Sequence, residues 1–312
     1  MNEKEKSLSI FFNIDRTYIT LLERDNNRVN LAYVNATENC IDIENPNSIS
    51  NQKGIDELAE ILSEIEIPGK INVALPCESV LVTSFPSKPD ISKKDIVKLV
   101  NLEVRQIYPQ LALSKFSISV IPLEETKKHL HYMIAAIIEN DVIDVCKGIV
   151  NRAGAEIGKI EISQFAAHNA FLYNYPELSE KNILLASFQD QFMDISILKQ
   201  GKPAYYNLTA MPDPAKIAEA FENELNNITE NIIDSIDSAF FFGSGLTKEI
   251  NLALWETSML FGFETKRLNP FRMMGTTVDA RTKEYCSRVF HLYPAVTGVN
   301  LPAKHEKIKL IQ

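Results

Sequence analysis

From Asn182 to Tyr206 the hydrophobic pattern runs as three short strands. An apolar run, Ile183 to Ala186, meets the polar turn Gln189-Asp190-Gln191, and Met193 to Leu198 then alternates apolar with polar side chains. Gln200-Gly201 turns tightly into Pro203 to Tyr206. The same plan occurs at the amino terminus. Leu8 to Ile14 leads into Asp15-Arg16-Thr17, Tyr18 to Glu23 returns, and Asp25-Asn26-Asn27 turns into Val29 to Val34. Two copies of one meander, about half a chain apart, predict an internally duplicated two-lobe α/β protein.

Between and after the meanders the periods change. The polar stretch 35–52 reads as a surface loop. Residues 53–65 place Ile55, Leu58, Ala59, Leu62 and Ile65 on one helical face, and Pro68-Gly69 stops that helix before a short strand, Ile71 to Leu75. Val80 to Phe85 is a strand closed by Pro86. Ser92, with Asp95 three residues on, caps a helix that presents Ile96, Leu99, Val100, Glu103, Val104 and Ile107 before Tyr108-Pro109. Strands follow at Phe116 to Ile121 and His131 to Ile138. A helix capped by Asn140 or Asp141 runs to Arg152, ahead of a strand to Ile162 and a helix from Ser163 to about Tyr173. Beyond the second meander the pattern gives a helix from Pro212 to about Asp234 and a strand from Ser238 to Phe242. That strand enters Gly243-Ser244-Gly245 and a helix from about Thr247 to Phe261.

The chain has 312 residues, 45% of them hydrophobic and 23% charged, enough for two lobes with their own cores. A net charge of -9 without any basic run argues against a nucleic-acid surface. Cys40, Cys77, Cys146 and Cys286 lie far apart, as thiols of a reducing compartment do, and not as zinc ligands. His129 and His131 share a strand face without a third ligand nearby, and His168 sits among alanines with no catalytic partner. The apolar start is too short for a signal peptide or membrane span, so the expectation is a soluble, cytoplasmic protein that reaches a membrane through a partner.

The order of elements resembles the actin-like ATPase (ribonuclease H-like) fold. Within it, the chain is similar to the PilM-like type IV pilus assembly proteins, which are related to FtsA. The resemblance rests on both meanders, on Ala74-Leu75-Pro76, on the strand ending Phe85-Pro86 and on the helix closing at Ile107-Tyr108-Pro109. It also rests on the strand, glycine turn and helix at 238–247, on Leu268-Asn269-Pro270-Phe271, and on the small-residue segment Pro294 to Leu301. It implies a first lobe at 1–177 with an inserted subdomain at about 80–160, a second lobe at 178–290, and a closing helix and tail at 291–312.

In active members each meander turn reads Asp-apolar-Gly-polar, because two backbone turns wrap the phosphates of ATP and its magnesium ion. Registered on the second strand of each copy, the Asp and Gly positions fall on Asn13 and Asp15 in the first, followed by Arg16 and Thr17. In the second they fall on Ser187 and Gln189. Asp15 and Asp190 are the only alternative acids, and they are not equivalent. Gly243, Ser244 and Gly245 correspond to the adenosine-side loop, or serve as a plain strand-to-helix turn. The expected cofactor is therefore none, with ATP and magnesium retained only if this altered site still binds them. The resemblance implies a non-catalytic scaffold of a pilus or secretion platform that binds a cytoplasmic peptide of a PilN-like inner-membrane partner. Val82, Phe85, Leu99, Glu103 and Tyr108 are the candidate contacts. The alternatives are a working ATPase or small-molecule kinase of the same superfamily and a filament-forming cytoskeletal protein.

Overall fold

The computed structural model describes residues 5–25, 28–45, 48–110, 112–189, 191–211, 213–303 and 307–311. In chain order, β1 (Glu5–Phe12), β2 (Thr17–Asp25) and β3 (Arg28–Ala36) make the first meander, and α1 (Ile49–Ser63) and β4 (Lys70–Leu75) follow. An inserted unit then comprises β5 (Leu81–Ser87), α2 (Lys93–Ile107), β6 (Phe116–Pro122), β7 (His131–Glu139) and α3 (Asn140–Arg152). The chain returns through β8 (Glu156–Ile162) and α4 (Ser163–Asn174). The second meander is β9 (Asn182–Phe188), β10 (Phe192–Lys199) and β11 (Lys202–Ala210), followed by α5 (Ile217–Asn231), β12 (Ser238–Phe242), α6 (Lys248–Leu260) and β13 (Glu264–Arg267). The last segment holds β14 (Gly275–Thr276), α7 (Ala280–Val289), α8 (Pro294–Val299) and β15 (Ile308–Ile311).

The duplication is explicit in the sheets. The first has the order β14-β3-β2-β1-β4-β8 and the second β11-β10-β9-β12-β13. In each, the meander is antiparallel and the next two strands join the first strand's free edge in parallel. Helices supply the crossovers that parallel strands require. The second meander turns at Gln200-Gly201, both with positive φ (51° and 75°), as a two-residue hairpin demands.

Two helices form the spine between the lobes. α4 is buried on every side because it serves two cores: Ala166 and Ala170 face the first lobe, and Ala167 and Phe171 the second. α8 crosses α4 so closely that a Cβ on Gly298 would lie 1.8 Å from the Ala166 carbonyl oxygen. Only glycine fits there.

The inserted unit is a small sheet of order β15-β6-β7-β5 with α2 packed on it through Ile96, Val100 and Val104. As the sequence indicates, Ser92 caps α2, its hydroxyl accepting from the Asp95 amide. β5 stands at the open edge of that sheet, with Pro86 near its end, a place where strands tolerate proline.

Several features differ from the sequence expectations. The stretch 35–52 is anchored by Ile41 and Ile43, both buried, and α1 begins before residue 53. The return to the first lobe comes before residue 290: β14 pairs with β3, and Cys286 and Tyr293 pack among Phe11, Tyr18 and Leu31. The tail does not stand apart, since β15 pairs with β6 of the insert. Asp190, weighed above as an acid, and the first residue of the helix expected from Pro212 lie outside the described residues.

Candidate functional site

The ladders set the register of the two meander turns. Phe12 pairs with Thr17 and Phe188 with Met193, so the turns are 13–16 and 189–192. Asn13 and Gln189 open them, each donating its backbone N–H to the fourth residue's carbonyl, Arg16 at 3.1 Å and Phe192 at 2.9 Å. Gln189 is thus the counterpart of Asn13. Ser187 lies two residues earlier, on β9 opposite Asp194, and is not a turn residue.

The two opening residues meet across the lobes. Asn13 Nδ2 donates to Gln189 Oε1 at 3.2 Å and to Asp15 Oδ1 at 2.6 Å, with Ser244 Oγ 3.2 Å away. Ser244 Oγ donates to Gln189 Oε1 at 2.9 Å, and Gln189 Nε2 to Ser187 Oγ at 3.0 Å. Asp15 is exposed, and its other oxygen accepts from the Tyr18 hydroxyl. Burial and the Asp15 charge both push the Tyr18 phenol upward, so it stays a donor. Arg16 is exposed. Thr17 is buried, its amide donating to Thr37 Oγ1. Five of the nine candidate nucleotide residues therefore form one hydrogen-bonded bridge between the lobes.

The glycine turn is committed to the protein's own backbone. Gly243 has φ 105° and its N–H donates to the His291 carbonyl, while Gly245 N–H donates to the Phe188 carbonyl. A Cβ at either position would lie 2.3 or 2.6 Å from the carbonyl oxygens of Phe188 and Gln189. Close approach to the second meander accounts for both glycines. A separate pocket of about 520 Å³ lies beside this turn, lined by Met211, Ala218, Thr247, Glu249 and Ala253 among others.

The larger cavity is elsewhere. A cleft of about 970 Å³ opens where the insert meets both lobes. One wall is β5, from Leu81 to Ser84, and the facing surfaces come from Ile43 and Glu44, from the start of α3, and from Phe192, Tyr206 and Leu208. Of the five candidate partner contacts, Val82 and Tyr108 line this cleft. Phe85 is buried at 1% exposure beneath α2, and Leu99 is half-buried in the same core. Glu103 stands behind the wall, where it accepts from Thr83 Oγ1 at 3.3 Å.

Under the cleft floor lies a buried polar group that the sequence pattern does not reveal. Cys77 Sγ donates to Asp194 Oδ2 and lies 3.1 Å from Ser163 Oγ. Burial raises the Asp194 carboxyl to about 7, and it pushes the Cys77 thiol and Tyr206 phenol well up. Cys77 is thus a neutral donor rather than a reactive thiolate. Elsewhere, His168 is fully buried and its Nε2 meets Ser196 Oγ at 2.6 Å, tying α4 to β10. His129 pairs with Glu125 on the surface. Among the described residues no three acidic, histidine or cysteine side chains are grouped to hold a metal. Among them, too, no helix is long and apolar enough to cross a membrane.

No family model matches the chain, and no curated protein matches it. Solved structures do. The PilM–PilN type IV pilus biogenesis complex superposes with a TM-score of 0.71 at 12% identity, covering 94% of this chain and 97% of that one. A Bacteroides thetaiotaomicron protein of unknown function with an actin-like ATPase fold gives 0.51 at 12% identity, over 84% and 90%. The cytoplasmic domain of EpsL, an inner-membrane component of the Vibrio cholerae type II secretion system, gives 0.47 at 10%, over 86% and 98%. With its twice-repeated sheet, its interlobe helices and its match to PilM along nearly the whole chain, this protein has the actin-like ATPase fold.

Proposed function

We propose that this chain is a non-catalytic scaffold of a type IV pilus or related secretion platform. It docks an extended cytoplasmic segment of a PilN-like inner-membrane protein in the cleft beside β5. The observation that carries the reading is the cleft itself: about 970 Å³, walled by an edge strand whose outer N–H and C=O groups have no neighbouring strand among the described residues. An added strand supplies main-chain hydrogen bonds at such an edge, and alternate side chains enter the adjoining apolar surface. The similar solved structure is of PilM in complex with PilN, which supports a partner of that kind.

Catalysis is not part of the reading. A magnesium–triphosphate needs carboxylates to hold the hydrated ion and a bare backbone against the phosphates. Here both opening positions are carboxamides bonded to each other, and the glycine amides at 243 and 245 are already taken. The residues present do not fit that group.

The test is capture from detergent-solubilised membranes with the wild type and with Val82→Arg, followed by amide exchange with the captured protein's cytoplasmic segment. A membrane protein lost with the variant, and protection concentrated on β5 and the start of α3, is the expected outcome. Protection around 243–271 instead, or nowhere, removes the reading.

A further inference from the structure

On the second lobe, α6 carries an apolar stripe that the fold does not use. Leu254, Thr257 and Ser258 are its buried side, and Leu254 joins the second-lobe core. On the opposite side Leu252, Trp255 and Met259 follow one another at spacings of three and four. They are 54%, 48% and 59% exposed, and the still more exposed Leu260 stands at their edge. Four of the ten large apolar side chains exposed among the described residues therefore lie on this one helix. Scattered exposed apolar residues need no explanation, but a row of them marks an interaction surface, and tryptophan and methionine are enriched in such surfaces.

The borders of the stripe say what covers it. Lys248 heads it at the same spacing. Glu249 and Glu256, seven residues apart, stand exposed along one side and have no cationic partner among the described residues. The other side holds Asn251 and the buried Ser258. This is the pattern of a heptad seam with acids at one flank. A lipid surface does not suit it, because both carboxylates would lie against anionic headgroups. A second copy does not suit it either. Two α6 helices packed antiparallel about a two-fold axis set Glu249 of one against Glu256 of the other, and a parallel pair leaves both acids without a cation.

We propose that α6 docks an amphipathic helix of another protein. The aliphatic seam of that helix covers Leu252, Trp255 and Met259, and a lysine or arginine flank meets Glu249 and Glu256. α6 contributes no residue to the cleft beside β5, so this surface is independent of the docking described above. It gives the chain a separate face for a second partner.

Trp255 is the chain's one tryptophan, so its emission reads the surface directly. The test pans a phage library of helical peptides, with a leucine seam fixed and the flanks randomised, on the full chain, and counter-selects on Leu252→Asp. The expected clones carry lysine or arginine along one flank. Their synthetic peptides should move the Trp255 emission to the blue and shield it from acrylamide. They should bind at least about tenfold more weakly when Glu249→Gln and Glu256→Gln are combined, and wild-type affinity should fall as salt rises. Clones with neutral or acidic flanks, or indifferent to the paired substitution, overturn the proposal. So does a library that yields nothing sensitive to Leu252→Asp. A blue shift that grows with protein concentration alone, with doubled mass in light scattering, gives the stripe to a second copy. One produced by phosphatidylserine vesicles gives it to a membrane, and either result overturns the proposal as well.

Discussion

Asp194→Asn isolates the buried carboxyl beneath the cleft. Asp194 is 2% exposed, and burial lifts it from 3.8 to about 7. In the unfolded chain it ionises near its ordinary value, while in the folded chain it keeps its proton until near neutrality. Between those limits the folded state holds more protons than the unfolded one, so stability falls as pH rises, and above about 7 the loss is complete. A shift of about 3 units is worth about 4 kcal/mol, of which about 3 kcal/mol falls between pH 5 and pH 8. Asparagine copies the protonated acid and carries no such dependence. Relative to Asp194→Asn, the wild type should therefore lose about 6 °C of melting temperature between those pH values, at about 2 °C per kcal/mol for a chain this long. The comparison with the variant is necessary because His291, pushed down to about 4 by burial and then by Arg267, acts in the opposite sense. A buried neutral histidine costs stability as pH falls below 6.5, and both proteins share it. Thermal melts of the pair across this range decide the matter. Parallel curves would mean that Asp194 is ionised in the folded protein at pH 5, and the account of the cleft floor would be wrong.

Calorimetric titration with Mg-ATP should show no binding, and a dissociation constant in the low micromolar range, about -8 kcal/mol, would contradict the non-catalytic reading. Gly298→Ala should cost at least about 3 kcal/mol in urea unfolding, because the new methyl meets the Ala166 carbonyl of a fully buried helix; a cost under about 1 kcal/mol would show that α8 can slide. Ser92→Ala should cost about 1 kcal/mol through the lost cap on α2, with the denaturant slope unchanged.

The fold was legible where hydrophobic period and punctuation agree. β12 spans the residues its apolar run indicates, and α2 ends at Ile107, at the expected boundary before Tyr108-Pro109. What was missed shares a physical cause: these elements take their place from distant contacts. β14 is two residues long, and α7 is mostly polar and buries only Cys286 along ten residues, so neither stands out as an apolar run. The register of Ser187 failed for a related reason. Alternation along β10 marks Asp194 as a solvent-facing residue, yet both faces of that strand are covered and Asp194 is interior. A pattern of period two fixes register only when one face is wet.

The corrected register strengthens the connection between the two sites. With Gln189 opposite Asn13, the positions that would carry two acids facing a shared ligand carry two carboxamides facing each other. Two carboxylates at that separation would repel unless a cation lay between them, whereas an amide is both donor and acceptor and bridges to its like directly. The lobes are thus bridged here by side-chain amides, and Ser244 and Ser187 extend the same bridge. The cleft beside β5 draws its walls from both lobes, with Ile43 and Glu44 on one side and Phe192 and Leu208 on the other. Its shape therefore depends on the lobes staying at one angle. In a protein that closes on a nucleotide, the width of such a cleft would follow the nucleotide state. On the proposed scaffold reading, the amide bridge would take the nucleotide's place in setting that width.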